Sequence, residues 1–145
     1  MHLTPEWIKG NKDCIYNILD KLADRYIQKN DFKAFSCLTT VCNLATGDVA
    51  DYLIDINGSF FYAKFEEYAK YLYYYKKNFK EEHCFINYLI AALSLQIATA
   101  EDQPSERQAI LDFINDKSKR KKISAEEKEY ILSIYNRINP DMWKH

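Results

Sequence analysis

The stretch Cys84-Phe-Ile-Asn-Tyr-Leu-Ile-Ala-Ala-Leu-Ser-Leu-Gln-Ile-Ala-Thr-Ala100 carries no charge, proline or glycine, and charges resume on either side at Glu82 and Glu101. Its apolar residues fall on every side of a helix, as expected of a helix enclosed by others. A membrane span is the rival reading. It fits poorly, because the run is at the short limit, holds Asn87, Ser94, Gln96 and Thr99, and has no second copy in the chain. The reading adopted is a buried helix over 81–100 with the other helices packed around it.

Working upstream, no glycine or proline occurs between Phe60 and Pro104. Phe61, Phe65, Tyr68, Leu72, Tyr75 and Phe79 recur in steps of four and three, a helical stripe. The same spacing continues through Glu82 to Ile86, Leu89 and Leu93. A single helix over 60–100 would be about 60 Å long, and it would mediate a dimer. Helices of that length are rare in compact domains. The polar cluster Lys76-Lys77-Asn78-Phe79-Lys80-Glu81-Glu82 offers a turn centred on Asn78, so two helices are expected, 59–77 and 81–100.

Nearer the N-terminus, Thr4-Pro5-Glu6 reads as a helix start and Gly10-Asn11 as its end. Ile15, Ile18, Leu19, Leu22 and Tyr26 form the stripe of a helix over 12–29, and Asn30-Asp31 breaks and re-caps the chain. A helix over 32–45 follows, with Phe35, Leu38, Val41, Cys42 and Ala45 inward. Gly47 reads as a C-cap and Asp48 as the next N-cap, opening a helix over 49–56 that Asn57-Gly58-Ser59 would end. Leu22-Ala23-x-x-Tyr26 followed by Asn30-Asp31-Phe32 resembles part of a tetratricopeptide repeat. Phe35 occupies the slot of that pattern's later alanine and no second copy occurs, so no repeat is assigned.

Towards the C-terminus, Ile110, Phe113 and Ile114 mark a helix over 104–116, and a basic run over 117–122 reads as a loop. Ser124-Ala125-Glu126-Glu127 is a capping box, followed by the stripe Ile131, Ile134, Tyr135 and Ile138. Asn139-Pro140 stops that helix, and Met142-Trp143 is expected to tuck back onto the body. The fold class is therefore all-α: one domain over 1–145 with six or seven helices.

Composition agrees. At 48% hydrophobic and 28% charged residues the chain can bury a core, and only three glycines and three prolines leave few turns for β structure. A formal net charge of −1 argues against nucleic-acid binding over the whole surface. The start Met-His-Leu-Thr-Pro-Glu-Trp lacks a signal-peptide layout. The expected location is cytoplasmic, with Cys14, Cys37, Cys42 and Cys84 reduced and buried.

The unusual feature is aromatic density: twelve Tyr, eight Phe and two Trp. One stripe of the 59–77 helix supplies core contacts, which leaves Tyr62, Tyr71, Tyr73 and Tyr74 over. With Lys64 and Glu67 they make the expected partner-binding face, since tyrosine brings contact area with a polar tip. Asp48, Asp51 and Asp55 share another face, suited to a basic partner or simply to solvent. Lys117, Lys119, Arg120, Lys121 and Lys122 would contact phosphate or an acidic protein.

His83 lies beside Cys84 and Glu82. Neighbours on a helix point about 100° apart, so His83 and Cys84 are not expected to converge on one substrate or metal. Cys37 and Cys42 lack the second ligand pair of a zinc site. No Gly-rich phosphate loop, Gly-x-Ser-x-Gly, His-Glu-x-x-His or Cys-x-x-Cys occurs. No catalytic residue, metal or cofactor is assigned. The expected function is a small non-enzymatic protein that binds another protein: an inhibitor, immunity protein or adaptor. The alternatives are nucleic-acid binding through 117–122 and an enzyme with its site near His83. The Lys/Ile/Asn/Tyr-rich composition suggests a bacterial or phage source.

Overall fold

Lys80 is the residue that separates the two expected long helices. In the computed structural model, which describes residues 12–42, 47–120 and 122–144, it adopts a left-handed conformation with φ of 59°. A non-glycine residue there ends a helix, because the following amide can no longer bond along the axis. The Lys80 N–H instead closes onto the Lys76 carbonyl. The single helix over 60–100 is thereby corrected to two, as the polar cluster implied, with the turn two residues beyond Asn78.

The described residues form α1 (Lys12–Lys29), α2 (Phe32–Thr39), α3 (Asp48–Ala63), α4 (Phe65–Phe79), α5 (Phe85–Ala98), α6 (Gln103–Arg120) and α7 (Ala125–Tyr135), then a 3-10 turn at Pro140–Trp143. No strand occurs among them, and none of the helices is long and apolar enough to cross a membrane. The helix start expected at Thr4-Pro5 lies outside the described residues.

The quoted apolar stretch is α5. Phe85, Ile86, Leu89, Ile90, Ala91, Leu93, Ser94 and Ile97 are all buried, which covers one half of its circumference and, at Ala91, part of the other, while Asn87 is exposed. It packs against α3, α6, α7 and the C-terminal turn. Its one buried hydroxyl is used: Ser94 Oγ accepts from the Asn139 N–H at 3.0 Å. Trp143 does tuck back, donating from Nε1 to the Ala91 carbonyl at 3.0 Å, whereas Met142 is exposed.

The helix expected from 81 begins at Phe85, and Gly47 rather than Asp48 is the N-cap of α3. Three further boundaries differ from the expectation, each for a local reason. Asn57-Gly58-Ser59 does not end a helix; α3 runs through it. The Asn57 Nδ2 donates back to the Leu53 carbonyl and Ser59 Oγ to the Asp55 carbonyl, so both polar side chains serve the helix they were expected to break. Gly58 has ordinary helical φ and sits where α3 meets α5: a Cβ there would lie 3.4 Å from the Ala92 Cβ. Glycine marks a close helix approach here rather than a stop. The break comes at Lys64, with φ −133° and ψ 41°. Second, α6 continues through Arg120, so the basic run is largely helical. Third, α2 ends at Thr39, and Val41 and Cys42 are buried in the turn that follows. The capping box at Ser124 and Glu127 is formed as expected. Glu127 is buried and also accepts from Lys70 Nζ at 3.0 Å, which ties α7 to α4. Burial pushes its carboxyl up, but the Ser124 N–H and Lys70 outweigh this and hold it below the ordinary value.

At the centre of the core one polar pair is sealed from water. Tyr68 on α4 donates its hydroxyl to Asn57 Oδ1 at 2.5 Å, and both residues are 0% exposed. Burial, with the Tyr26 phenol nearby, raises the Tyr68 phenol well above its usual value, so it stays a donor. Removing either partner strands the other. Tyr68→Phe and Asn57→Leu are each expected to lower the unfolding free energy by about 1–3 kcal/mol. The double variant should lose less than the sum of the two, because no polar group is then orphaned. Urea unfolding of the four proteins measures the coupling, and additive losses would show that the pair is not sealed.

Candidate functional site: an aromatic ledge beside a buried histidine

Tyr71, Tyr75 and Phe79 lie at i, i+4 and i+8 of α4 and therefore on one face. Asp31 caps α2 by accepting from the Ala34 N–H at 3.2 Å, and this sets Phe32, the first residue of α2, against that face. Ring centroids step from Phe32 to Tyr71 at 6.0 Å, to Tyr75 at 6.4 Å and to Phe79 at 4.7 Å. The outer members are open to solvent: Phe32 is 56% exposed and Phe79 63%. Phe35 backs the ledge from the core, with its centroid 4.8 Å from Tyr71. Exposed Lys33 and Lys80 directly follow the two end residues in the chain, and Glu81 and Glu82 beyond Lys80 are exposed as well.

His83 closes the inner edge. Its ring packs against Tyr71 at 5.3 Å, Tyr75 at 4.7 Å and Phe85 at 4.8 Å. It precedes α5 rather than lying inside a helix, so the expected divergence from Cys84 does not apply. The ring turns back: Nδ1 accepts the Phe85 N–H at 3.0 Å and lies 3.8 Å from Cys84 Sγ. Burial pushes the imidazole down to about 4, and no hydrogen bond joins it to a carboxylate among the described residues.

A cleft of about 340 Å³ opens beside it, lined by Tyr75, Glu81, Glu82, His83, Cys84 and Asn87. Arg137 donates to Glu82 at 2.5 Å, and the Tyr75 hydroxyl faces Glu81 at 3.4 Å. The sulfurs of Cys42 and Cys84 are joined in a disulfide, which corrects the expectation that both are reduced. The turn after α2 and the start of α5 bring together two cysteines 42 residues apart, a pairing no local spacing announces. Cys37 is a free thiol and exposed, not buried as expected. The donor atoms of Cys42, His83 and Cys84 lie within 4.8 Å of one another, the grouping closest to a metal set among the described residues. With the sulfurs bonded to each other, the two thiolates that such a set would supply are absent in this state.

The expected tyrosine face is not one surface. Tyr62 leans on α6, 4.8 Å from the Phe113 ring, and donates to Gln96 at 2.8 Å. Lys64 donates to Asn30, and Glu67 accepts from Tyr26 at 3.3 Å. These three line a shallow cleft of about 190 Å³ with Lys117. Tyr73 donates to Glu126 on α7 at 2.8 Å, Tyr71 belongs to the ledge, and Tyr74 is 48% exposed. Successive tyrosines point about 100° apart, so a cluster in sequence becomes attachments to different neighbours.

Asp48, Asp51 and Asp55 are exposed along α3, with the first two in its first turn, where they meet the positive end of the helix dipole. Of the basic run, Arg120 pairs with Asp116 at 3.1 Å and Lys117 sits over the Phe113 ring. Lys119 and Lys122 are exposed, and Lys121 lies outside the described residues.

No protein family, curated protein or solved structure matches this chain.

The ledge was missed because Tyr75 and Phe79 continue the stripe assigned to the core. That stripe is buried through Leu72, half-buried at Tyr75 and open at Phe79. The available signal was the charge around its end: Phe79 sits between Lys76-Lys77 and Lys80-Glu81-Glu82.

Proposed function

We propose that the protein acts by binding another protein, and that the ledge of Phe32, Tyr71, Tyr75 and Phe79 is the contact surface. The observation that carries this is the exposure of two phenylalanines at either end of one ring-to-ring row. Large apolar rings held in water along one continuous aromatic row are a feature of interaction sites, and aromatic anchors carry most of the energy of such contacts. Lys33 and Lys80 follow the two phenylalanines in the chain and Glu81 faces Tyr75, so the rim suits a partner with an apolar centre edged by charges of both signs. An inhibitor, immunity protein or adaptor is the corresponding class.

The test compares proteins captured from host lysate by the tagged wild type and by Phe32→Ser/Phe79→Ser. Both side chains are more than half exposed, so the double variant is expected to keep its helicity. A partner whose retention falls more than tenfold on that variant, but not on Tyr62→Phe, supports the ledge. Equal capture by all three proteins rejects it.

A further inference from the structure

The Cys42–Cys84 disulfide joins the turn after α2 to the residue before α5, and its two ends are placed unequally. Cys42 is 4% exposed, and its backbone is held by the Tyr88 hydroxyl, which donates to its carbonyl at 2.9 Å. Cys84 is half-buried and lines the 340 Å³ cleft, which is large enough for a small organic molecule. The Cα atoms are 6.2 Å apart, inside the range a disulfide spans without backbone movement. The fold therefore keeps the two thiols adjacent after reduction and lets the bond re-form.

From this asymmetry we infer that Cys42–Cys84 is a thiol–disulfide exchange site for low-molecular-weight thiols, entered from the cleft at Cys84. An incoming thiolate attacks Cys84 Sγ. The new S–S bond forms as the old one breaks, and Cys42 Sγ leaves with the electron pair and takes up a proton. Two outcomes follow from that mixed disulfide. Cys42 attacks back at Cys84 and expels the small thiol, or a second small thiol attacks and leaves as the small-molecule disulfide. In the second case two thiols of the reagent are oxidised and two thiols of the protein are formed, so electrons and protons balance. Access decides the direction, because exchange rates depend on which sulfur can be reached. This assignment stands on the disulfide and the unequal access to its two ends, and does not depend on ledge binding.

The experiment uses the full chain with Cys14→Ser and Cys37→Ser, in chelator, with 2-mercaptoethanol and its disulfide as probes. The oxidised protein is expected to be reduced without denaturant at a rate that rises with thiol concentration. In added Cys42→Ser and Cys84→Ser variants, the remaining thiol is challenged with the small disulfide, acid-quenched and weighed by mass spectrometry. Cys84 should form the adduct at least tenfold faster than Cys42, with helicity equal in both. Equal rates, or faster reaction at Cys42, would overturn the assignment. So would reduction of the first protein only at a rate independent of thiol concentration, since exchange would then wait on global unfolding.

Discussion

Replacing Phe35 by alanine is expected to lower the unfolding free energy by about 3–5 kcal/mol, the range for deleting a buried phenyl ring. Phe35 is 0% exposed and is the hub of the aromatic core. Its ring lies 4.7 Å from Tyr26, 5.7 Å from Phe60, 6.4 Å from Tyr68, 4.8 Å from Tyr71 and 5.6 Å from Phe85. Those rings come from α1, α3, α4 and α5, so the cavity left behind is walled by four helices that cannot all move inward. Domains of this kind have a total stability of about 5–15 kcal/mol, so the variant would be marginal. Phe35→Leu, which keeps most of the volume, should cost under about 1.5 kcal/mol. Urea unfolding of both variants at neutral pH measures the two losses. A loss below about 1 kcal/mol for the alanine variant would be incompatible with the packing described. Because Tyr71 rests on Phe35, the alanine variant is also expected to weaken ledge binding.

Acidification is expected to destabilise the protein through His83 before most carboxylates titrate. The imidazole is held down to about 4 by burial, against an ordinary 6.5 in the unfolded chain. The folded state therefore binds this proton less readily than the unfolded state. The contribution is fully present above pH 6.5 and is lost as pH falls from 6.5 towards 4. Between pH 7.5 and 4.5 the linkage is on the order of 2–3 kcal/mol. His83→Phe removes the titration and keeps a ring against Tyr71, Tyr75 and Phe85, while giving up the acceptor for the Phe85 N–H. That variant should be less stable than wild type at pH 7.5 and should draw level or overtake it at pH 4.5. A stability difference that stays constant over this window would show that His83 is not desolvated.

Much of the fold was legible because helix signals are local. The α1 stripe, the Asn30-Asp31 break, the Ser124–Glu127 capping box and the uncharged α5 run each depend on residues within a turn or two of one another. The errors have a common origin. Asn57-Gly58-Ser59 carries the residue types of a helix stop, yet their role depends on α5 lying alongside. A glycine is equally suited to a turn and to a close helix crossing, and only the neighbour distinguishes them. The basic run after Asp116 likewise extends α6, because lysine and arginine are good helix formers and the run contains no breaker before Arg120.

The candidate site was less legible. The tyrosines of α4 were visible as a surplus, but sequence could not say which neighbour each would meet: Tyr62 meets α6, Tyr73 meets α7 and Tyr71 meets α2. The amino-acid sequence by itself determined the class of the protein, all helices, and the helix within the 84–100 run, because period and charge act over one or two turns. Only the tertiary structure decided that Cys42 and Cys84 meet, that His83 is dry, and that Phe79 faces water while Tyr68 does not. Those outcomes depend on contacts between residues far apart in the chain, and such contacts are settled by how helices pack rather than by what any one helix contains.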